Sequence, residues 1–402
     1  MRVSFFASVA GLLGSVSCAP ALTISNTCQV TVVRKELRDM SKRDWDRFQS
    51  AFLSLQTRPS PMGQNRTEWD WWTQLHVDNM AFAHGSAMFF PFHRAYVAAL
   101  EQRLQKIEPS IAFPFWDWSH DWEDPLASPI FSPAYGLDVR LESQGDCRYP
   151  RAVFRPHCLL RDYNPSNFTR YYSPQSVAAV IAGEEDYDAF RELIELVPHA
   201  IVHTSLGGQK GDMALMNSPN DPIFWLHHSM VDQVWTYWQR FDAKRARAYV
   251  GGEAGLQRVI RPFNVTVADV MDIEKLCYEY QGFSQNTLLE SSLRESGPIP
   301  GRLIQLSRSQ ASRRPRKNIS VAPRKARAMK AKTFFPFQTY GFPNYMQNYL
   351  RVFDTSCFGW PSSFFNTSPW FRLNGFAPER ILLAEKKWKT IVQNAYEKQC
   401  PE

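Results

Sequence analysis

Between Lys35 and Leu55, "KELRDMSKRDWDRFQSAFLSL", apolar side chains recur at Leu37, Met40, Trp45, Phe48, Phe52 and Leu55. That spacing is close to the helical period, and Ser41 is placed to cap the second part of the segment. Thr67 to Gly85, "TEWDWWTQLHVDNMAFAHG", reads as a second helix, opened by its Thr/Glu start and closed near Gly85. Phe92 to Ile107 gives the clearest amphipathic pattern in the chain. Two further helical stretches follow in "DYDAFRELIELVPHAIVHTSLGG" and "DPIFWLHHSMVDQVWTYWQRF". The first ends at Gly207 and Gly208, and the second opens with Pro222 in its first turn. "FPFWDWSHDWEDP" reads as a loop rich in Pro and Trp, and strand-like alternation is scarce before residue 300.

These elements predict a mainly α protein: a helical body over 20–300, a basic linker over 301–333, and an aromatic, cysteine-containing C-terminal extension over 334–402. A chain of 402 residues with 44% hydrophobic and 14% aromatic content is long enough to bury a sizeable core. The formal charge of +7 is local. Residues 302–332 hold eleven Lys and Arg and no acid, so the rest of the chain sits near −4. A run of this kind fits a solvated linker, with "RRPRK" as a candidate processing site. With no recognisable binding module, nucleic acid is not expected as a partner.

The start of the chain, "MRVSFFASVAGLLGSVSCAP", predicts a secretory signal over 1–19, with Arg2 ahead of an apolar run and small residues at the cut. That run is shorter than the roughly 20 residues a bilayer span requires, and no other long uncharged apolar run occurs. Removal of the signal takes Cys18 with it and leaves Cys28, Cys147, Cys158, Cys277, Cys357 and Cys400. An even set suggests three disulfides, in any of fifteen pairings. Sequons at Asn65, Asn167, Asn264, Asn318 and Asn366 agree with a secreted glycoprotein.

The chemistry lies in the histidines. Seven of the nine fall into two clusters, leaving His120 and His157 outside. His76, His84 and His93 lie on or beside two consecutive predicted helices. His199 and His203, four apart, share one helix face, and His227 and His228 lie on the next helix. Two groups of three imidazoles, each drawn from a helix pair, suit two metal ions in the core of a four-helix bundle. Imidazole without thiolate or carboxylate suits copper or zinc.

Together, "HGSAMFFPFHRAYVAALE", "FPFWDWS", "VPHAIVHTSLGG" and "NDPIFWLHHSMVDQVWTYWQ" resemble the two copper-binding regions of tyrosinases, catechol oxidases and molluscan haemocyanins. The resemblance spans roughly residues 70–240. It implies a binuclear type 3 site with two copper ions, one on His76, His84 and His93 and the other on His199, His203 and His228. His227 then packs beside the site, and Asp232, one turn after His228, is placed to accept an N–H from a ligand.

The activity implied is oxidation of small o-diphenols to o-quinones by dioxygen, with monophenol hydroxylation as an extension. Glu195 matches a glutamate that orients a water near the coppers in plant catechol oxidases, and is the candidate base. Ala200 stands where many tyrosinases carry Asn, which favours diphenols over monophenols. Phe82 replaces the cysteine that cross-links to histidine in other members. Leu215 takes the position over the copper entrance, where plant enzymes have Phe. In many members a C-terminal extension covers the site until it is removed, which makes 302–332 a candidate cleavage region. A haemocyanin-like oxygen carrier would use the same ligands, and a zinc-bearing relative of the fold is a third reading.

Overall fold

In a computed structural model of the chain, the described residues are 20, 22–61, 66–132, 135, 159–162, 170–281 and 369–396. The expected signal and basic linker, and Cys147, Cys158, Cys357 and Cys400, lie outside them.

The predicted helices form, with edges moved by local chemistry. Helix α1 spans Lys42–Ser54 and is capped by the Ser41 side chain, which accepts from the Asp44 N–H. The first part of the Lys35–Leu55 pattern is instead a single bridge from Glu36 to Phe115 and a 3-10 turn at Leu37–Asp39. Helix α2 spans Glu68–Ala83. Thr67 opens it with a capping box whose partner is Asp70, not Glu68. Helix α3 spans Phe89–Gln105 and starts a turn earlier than its pattern suggests, because Pro91 falls in the first turn, where its missing N–H costs nothing.

After α4 (Pro174–Gly183) comes one long helical run in three parts: α5 (Tyr187–Ile194), a π-helical turn (Glu195–His199) and α6 (Ala200–Gly207). Pro198 sits inside that turn and has no N–H to donate, which accounts for the break in the α ladder. Helix α7 spans Pro222–Phe241; Asp221 caps it and is itself held by Arg161 at 2.7 and 2.9 Å. Two short helices follow, α8 (Gly252–Leu256) and α9 (Val267–Val270), and after the undescribed stretch come α10 (Pro369–Leu373) and α11 (Pro378–Tyr396).

Strands are few and short among the described residues. β1 (Val32–Arg34) pairs in parallel with β4 (Tyr278–Tyr280), and β2 (Val259–Ile260) pairs antiparallel with β3 (Val265–Thr266). A Cys28–Cys277 disulfide ties the two ends of the body beside the first pair. Asn264 is exposed in the turn between β2 and β3.

Helices α2, α3, α6 and α7 enclose the interior, and the predicted four-helix arrangement is what the structure shows. Its filling is strongly aromatic: Phe52, Trp69, Trp72, Tyr96 and Trp225 interlock with ring centroids 4.5–6.5 Å apart. No described helix is long and apolar enough to cross a membrane.

Candidate metal centre

Both histidine clusters converge inside this bundle. His76 lies within α2 and His84 ends it; His93 lies on α3, His199 and His203 straddle the start of α6, and His227 and His228 lie on α7. All seven are buried. The ring nitrogens of His76, His84 and His93 come within 4.8 Å of one another, and so do those of His199, His203, His227 and His228. The clusters adjoin: the rings of His93 and His228 stack at 4.2 Å. Phe89 wedges between them, 4.9 Å from His93 and 4.8 Å from His199, and Phe224 lies 4.2 Å from His228 and 5.1 Å from His76.

Main-chain carbonyls aim the rings. Nδ1 of His93 donates to Phe89 O at 2.8 Å and Nδ1 of His199 to Glu195 O at 2.9 Å, each one turn back along its own helical run. Nδ1 of His203 donates to Met213 O at 2.8 Å and Nδ1 of His76 to Met216 O at 3.1 Å. These acceptors place the proton on Nδ1 and leave a lone pair on Nε2 facing inward. The consequence is sharpest for His76 and His93. Their Nε2 atoms face each other at 3.4 Å, and with both protons held at Nδ1 neither can donate. Two lone pairs held that close in a buried site call for a cation between or beside them. His203 and His228 also approach through Nε2 at 3.4 Å, with Nδ1 of His228 bonded to no acceptor, and Nε2 of His199 has no hydrogen-bond partner.

Burial also keeps the rings in the ligand form. Desolvation lowers the proton affinity of every one: to about 3 for His76, to about 4 for His203, and well below the ordinary range for His84, His93, His199, His227 and His228. Neutral imidazoles in two adjoining groups, without thiolate or carboxylate, fit copper.

The remaining site residues fall as follows. His227 enters the second cluster, its ring 5.1 Å from His199 and nearly parallel to it, and neither of its nitrogens has a hydrogen-bond partner. Asp232 serves a different purpose from the one its spacing suggests. Its carboxylate accepts from Arg94 and Arg34 and from the hydroxyls of Tyr278 (2.5 Å) and Tyr280 (2.7 Å), and it bonds to no histidine. It joins α3, α7 and the β1–β4 pair, while the carbonyls take the histidine protons. Glu195 is fully buried; it accepts from the Gly85 N–H and from Arg191, both at 2.8 Å. Desolvation raises its proton affinity to about 7, with Arg191 opposing the shift. Leu215 is half-buried in the segment that braces His203 and His76, between the Met213 and Met216 carbonyls. Ala200 is buried, and Phe82 packs near Phe92.

Sequence reasoning missed two features. The Met213 and Met216 carbonyls have no side-chain signature. Trp370, on α10, lies nearly 300 residues beyond the first cluster, yet its ring sits 5.3 Å from His199, 5.6 Å from His203 and 6.4 Å from His84.

Residues 66–241 match the family described as the common central domain of tyrosinase. The tyrosinase-like protein phomQ1' of Diaporthe leptostromiformis is 29% identical over 309 residues, covering 63% of this chain and 81% of its own length. The tyrosinase ustQ of Aspergillus flavus is 27% identical over 316 residues, covering 69% and 87%. In fold, the chain is similar to a polyphenol oxidase from Thermothelomyces thermophila (TM-score 0.51, 23% identity, 62% of this chain and 89% of that one). It is also similar to a functional unit of octopus haemocyanin (TM-score 0.51, 18% identity, 68% and 73%). Through residues 66–241, this chain belongs to the tyrosinase family of type 3 copper proteins.

Proposed function

We propose that His76, His84 and His93 hold one copper ion, that His199, His203 and His228 hold a second, and that the protein oxidises o-diphenols to o-quinones with dioxygen. The observation that carries this reading is the pair of buried, neutral imidazole groups, in the first of which the Nε2 lone pairs of His76 and His93 meet at 3.4 Å. When bound, the copper pair supplies the electron exchange with dioxygen. Two catechols each give up two electrons and two protons, and one dioxygen becomes two waters.

The chain's own residues do the rest. The Phe89, Glu195, Met213 and Met216 carbonyls orient four of the imidazoles. Phe89 and Phe224 exclude water from the space between the groups. Glu195 is the base in this reading. A carboxylate whose proton affinity is raised to about 7 is matched to taking a phenolic proton near neutral pH.

Trp370 supports a latent form, because its indole stacks on His203 at 5.6 Å and meets His199 at a steep angle at 5.3 Å, where a substrate ring would approach. Helix α11 holds it there. It packs on α4, α5 and the π turn, with Trp388 against Tyr172 at 5.0 Å, Lys387 paired with Glu184 at 2.5 Å, and Arg380 paired with Glu192. Cleavage within 302–332 would free this segment from the body. The same cover favours one alternative, a haemocyanin-like oxygen carrier with a blocked pocket. The export suggested by the leader remains part of the proposal, and the Cys28–Cys277 disulfide supports it.

Copper-loaded protein incubated with L-DOPA and with tyrosine, before and after proteolysis within 302–332, tests the reading. Quinone from L-DOPA that increases after cleavage is the expected result. Reversible oxygenation without turnover in both states would replace it with the carrier.

A further inference from the structure

The way the tail occupies the centre bears on what the opened site accepts. Trp370, Phe371 and Phe376 are all buried, at 2%, 3% and 4% exposure. Phe371 meets Trp370 edge-on at 5.1 Å, and Phe376 stacks on it at 5.6 Å. Phe376 also reaches the loop after His84: a Cβ built on Gly85 would lie 3.5 Å from its ring. The turn satisfies its own backbone. Asn374 donates to Trp370 O from both its main-chain N–H and its side chain, Gly375 N–H donates to Arg372 O, and Phe376 N–H to Phe371 O at 2.9 Å.

A self-contained polypeptide turn therefore fits against the histidines with three aromatic side chains buried. A free phenol would fill only the place of the Trp370 ring and leave that of Phe376, beside Gly85, to water. Large aromatic side chains contribute most of the apolar area in such contacts, so the seat favours a ligand that brings a second aromatic ring with the first.

We propose that, once the tail is displaced, this seat receives an aromatic turn of another polypeptide, so that the substrate is a peptidyl catechol flanked by aromatic residues rather than a free small phenol. The inference rests on the oxidase reading above. Each peptidyl catechol loses two electrons and its two hydroxyl protons and remains attached to its chain as the o-quinone. Dioxygen accepts four electrons and four protons from two such groups and leaves as two waters.

The test uses the full chain cut within 302–332 and washed free of the released tail, which vacates the seat; the uncut chain, with Trp370 in place, is the occupied control. The probes are an octapeptide of sequence 369–376 with 3,4-dihydroxyphenylalanine in the Trp position, and N-acetyl-3,4-dihydroxyphenylalanine amide. Oxygen uptake on copper-loaded protein gives KM and kcat. Calorimetry on metal-free protein gives binding of the octapeptide independently of turnover. The octapeptide should show a KM lower by about tenfold or more, with the advantage lost when both of its Phe residues are Ala, and should bind without metal. Equal KM values with no metal-free binding would overturn this inference and leave the oxidase reading standing. Metal-free binding with neither catechol oxidised would support the seat and remove the oxidase reading instead.

Discussion

Gly207 closes α6 against the segment that braces both histidine clusters, and Gly207→Ala tests whether that bracing sets the metal geometry. A Cβ at this position would lie 2.0 Å from the Ala214 nitrogen, 2.5 Å from its Cβ and 2.7 Å from its Cα. None of these atoms can rotate away. Ordinary contact needs about 3.5 Å, so the segment must retreat by about 1.5 Å. Met213, the neighbour of Ala214, holds Nδ1 of His203 at 2.8 Å, and a retreat of that size takes the pair beyond hydrogen-bonding distance. Overpacking costs about 1–3 kcal/mol and the lost hydrogen bond about 1 kcal/mol. In an open helix the same replacement would stabilise by up to about 1 kcal/mol, so the sign of the result is informative. Scanning calorimetry of metal-free protein should show Tm falling by roughly 2–8 °C. Elemental analysis of reloaded protein should show fewer copper ions per chain than wild type. An unchanged Tm with unchanged copper would mean that the Gly207–Ala214 approach positions nothing, and the bracing argument would fail.

His228→Ala should remove one copper ion per chain and leave the other; elemental analysis that finds no loss would contradict the ligand assignment. Trp370→Ala in the uncut chain should raise L-DOPA oxidation toward the proteolysed level, and a latent variant would show that the indole is not the plug. Asp232→Ala leaves Arg94 and Arg34 buried without their shared anion. That should destabilise the fold by about 3–5 kcal/mol in denaturant titrations while folded molecules keep their copper; copper loss without destabilisation would restore the ligand-supporting role its spacing suggests. The buried imidazoles have folded-state proton affinities below their unfolded ones, at about 3 for His76 and about 4 for His203. The unfolded chain therefore binds the extra protons, and this contribution is present above about pH 6.5 and lost as pH falls toward 4. Metal-free protein should lose Tm steeply across that window, and copper should flatten the curve; a flat metal-free profile would contradict the buried neutral cluster.

The parts of this molecule legible in the sequence are those where one residue type signals its own role. The α2 boundary could be read from Thr67, and the start of α7 from Asp221 and Pro222, because caps and proline act within a few residues. The histidine pattern was legible for the same reason: few other arrangements require seven imidazoles at those spacings. Asp232 misled because helical spacing shows which residues share a face but not what lies opposite. Arg34, Tyr278 and Tyr280 reach it from segments about 50 to 200 residues away. The π turn was hidden because Pro198 reads locally as a kink or an end, and the α6 pattern resumes directly after it.

The Met213–Met216 segment shows how the two clusters are made into one site. It gives a carbonyl to His203 of the second group and another to His76 of the first, so a single stretch of chain fixes one ring in each. Asp212 anchors it in turn, accepting from the side chains of Asn217 and Asn220 and from the Leu160 N–H. The other two carbonyl-held rings, His93 and His199, are fixed from within their own helical runs, and Phe89, whose carbonyl holds His93, sends its ring to pack on His199. Each group is thus tied to the other by covalent chain as well as by packing. Spacing between the groups is then set by how the helices dock. In the first group the result is two lone pairs, on His76 and His93, held 3.4 Å apart. A cation bound there would meet ligands already oriented by the chain, so little of its binding energy would go into ordering them.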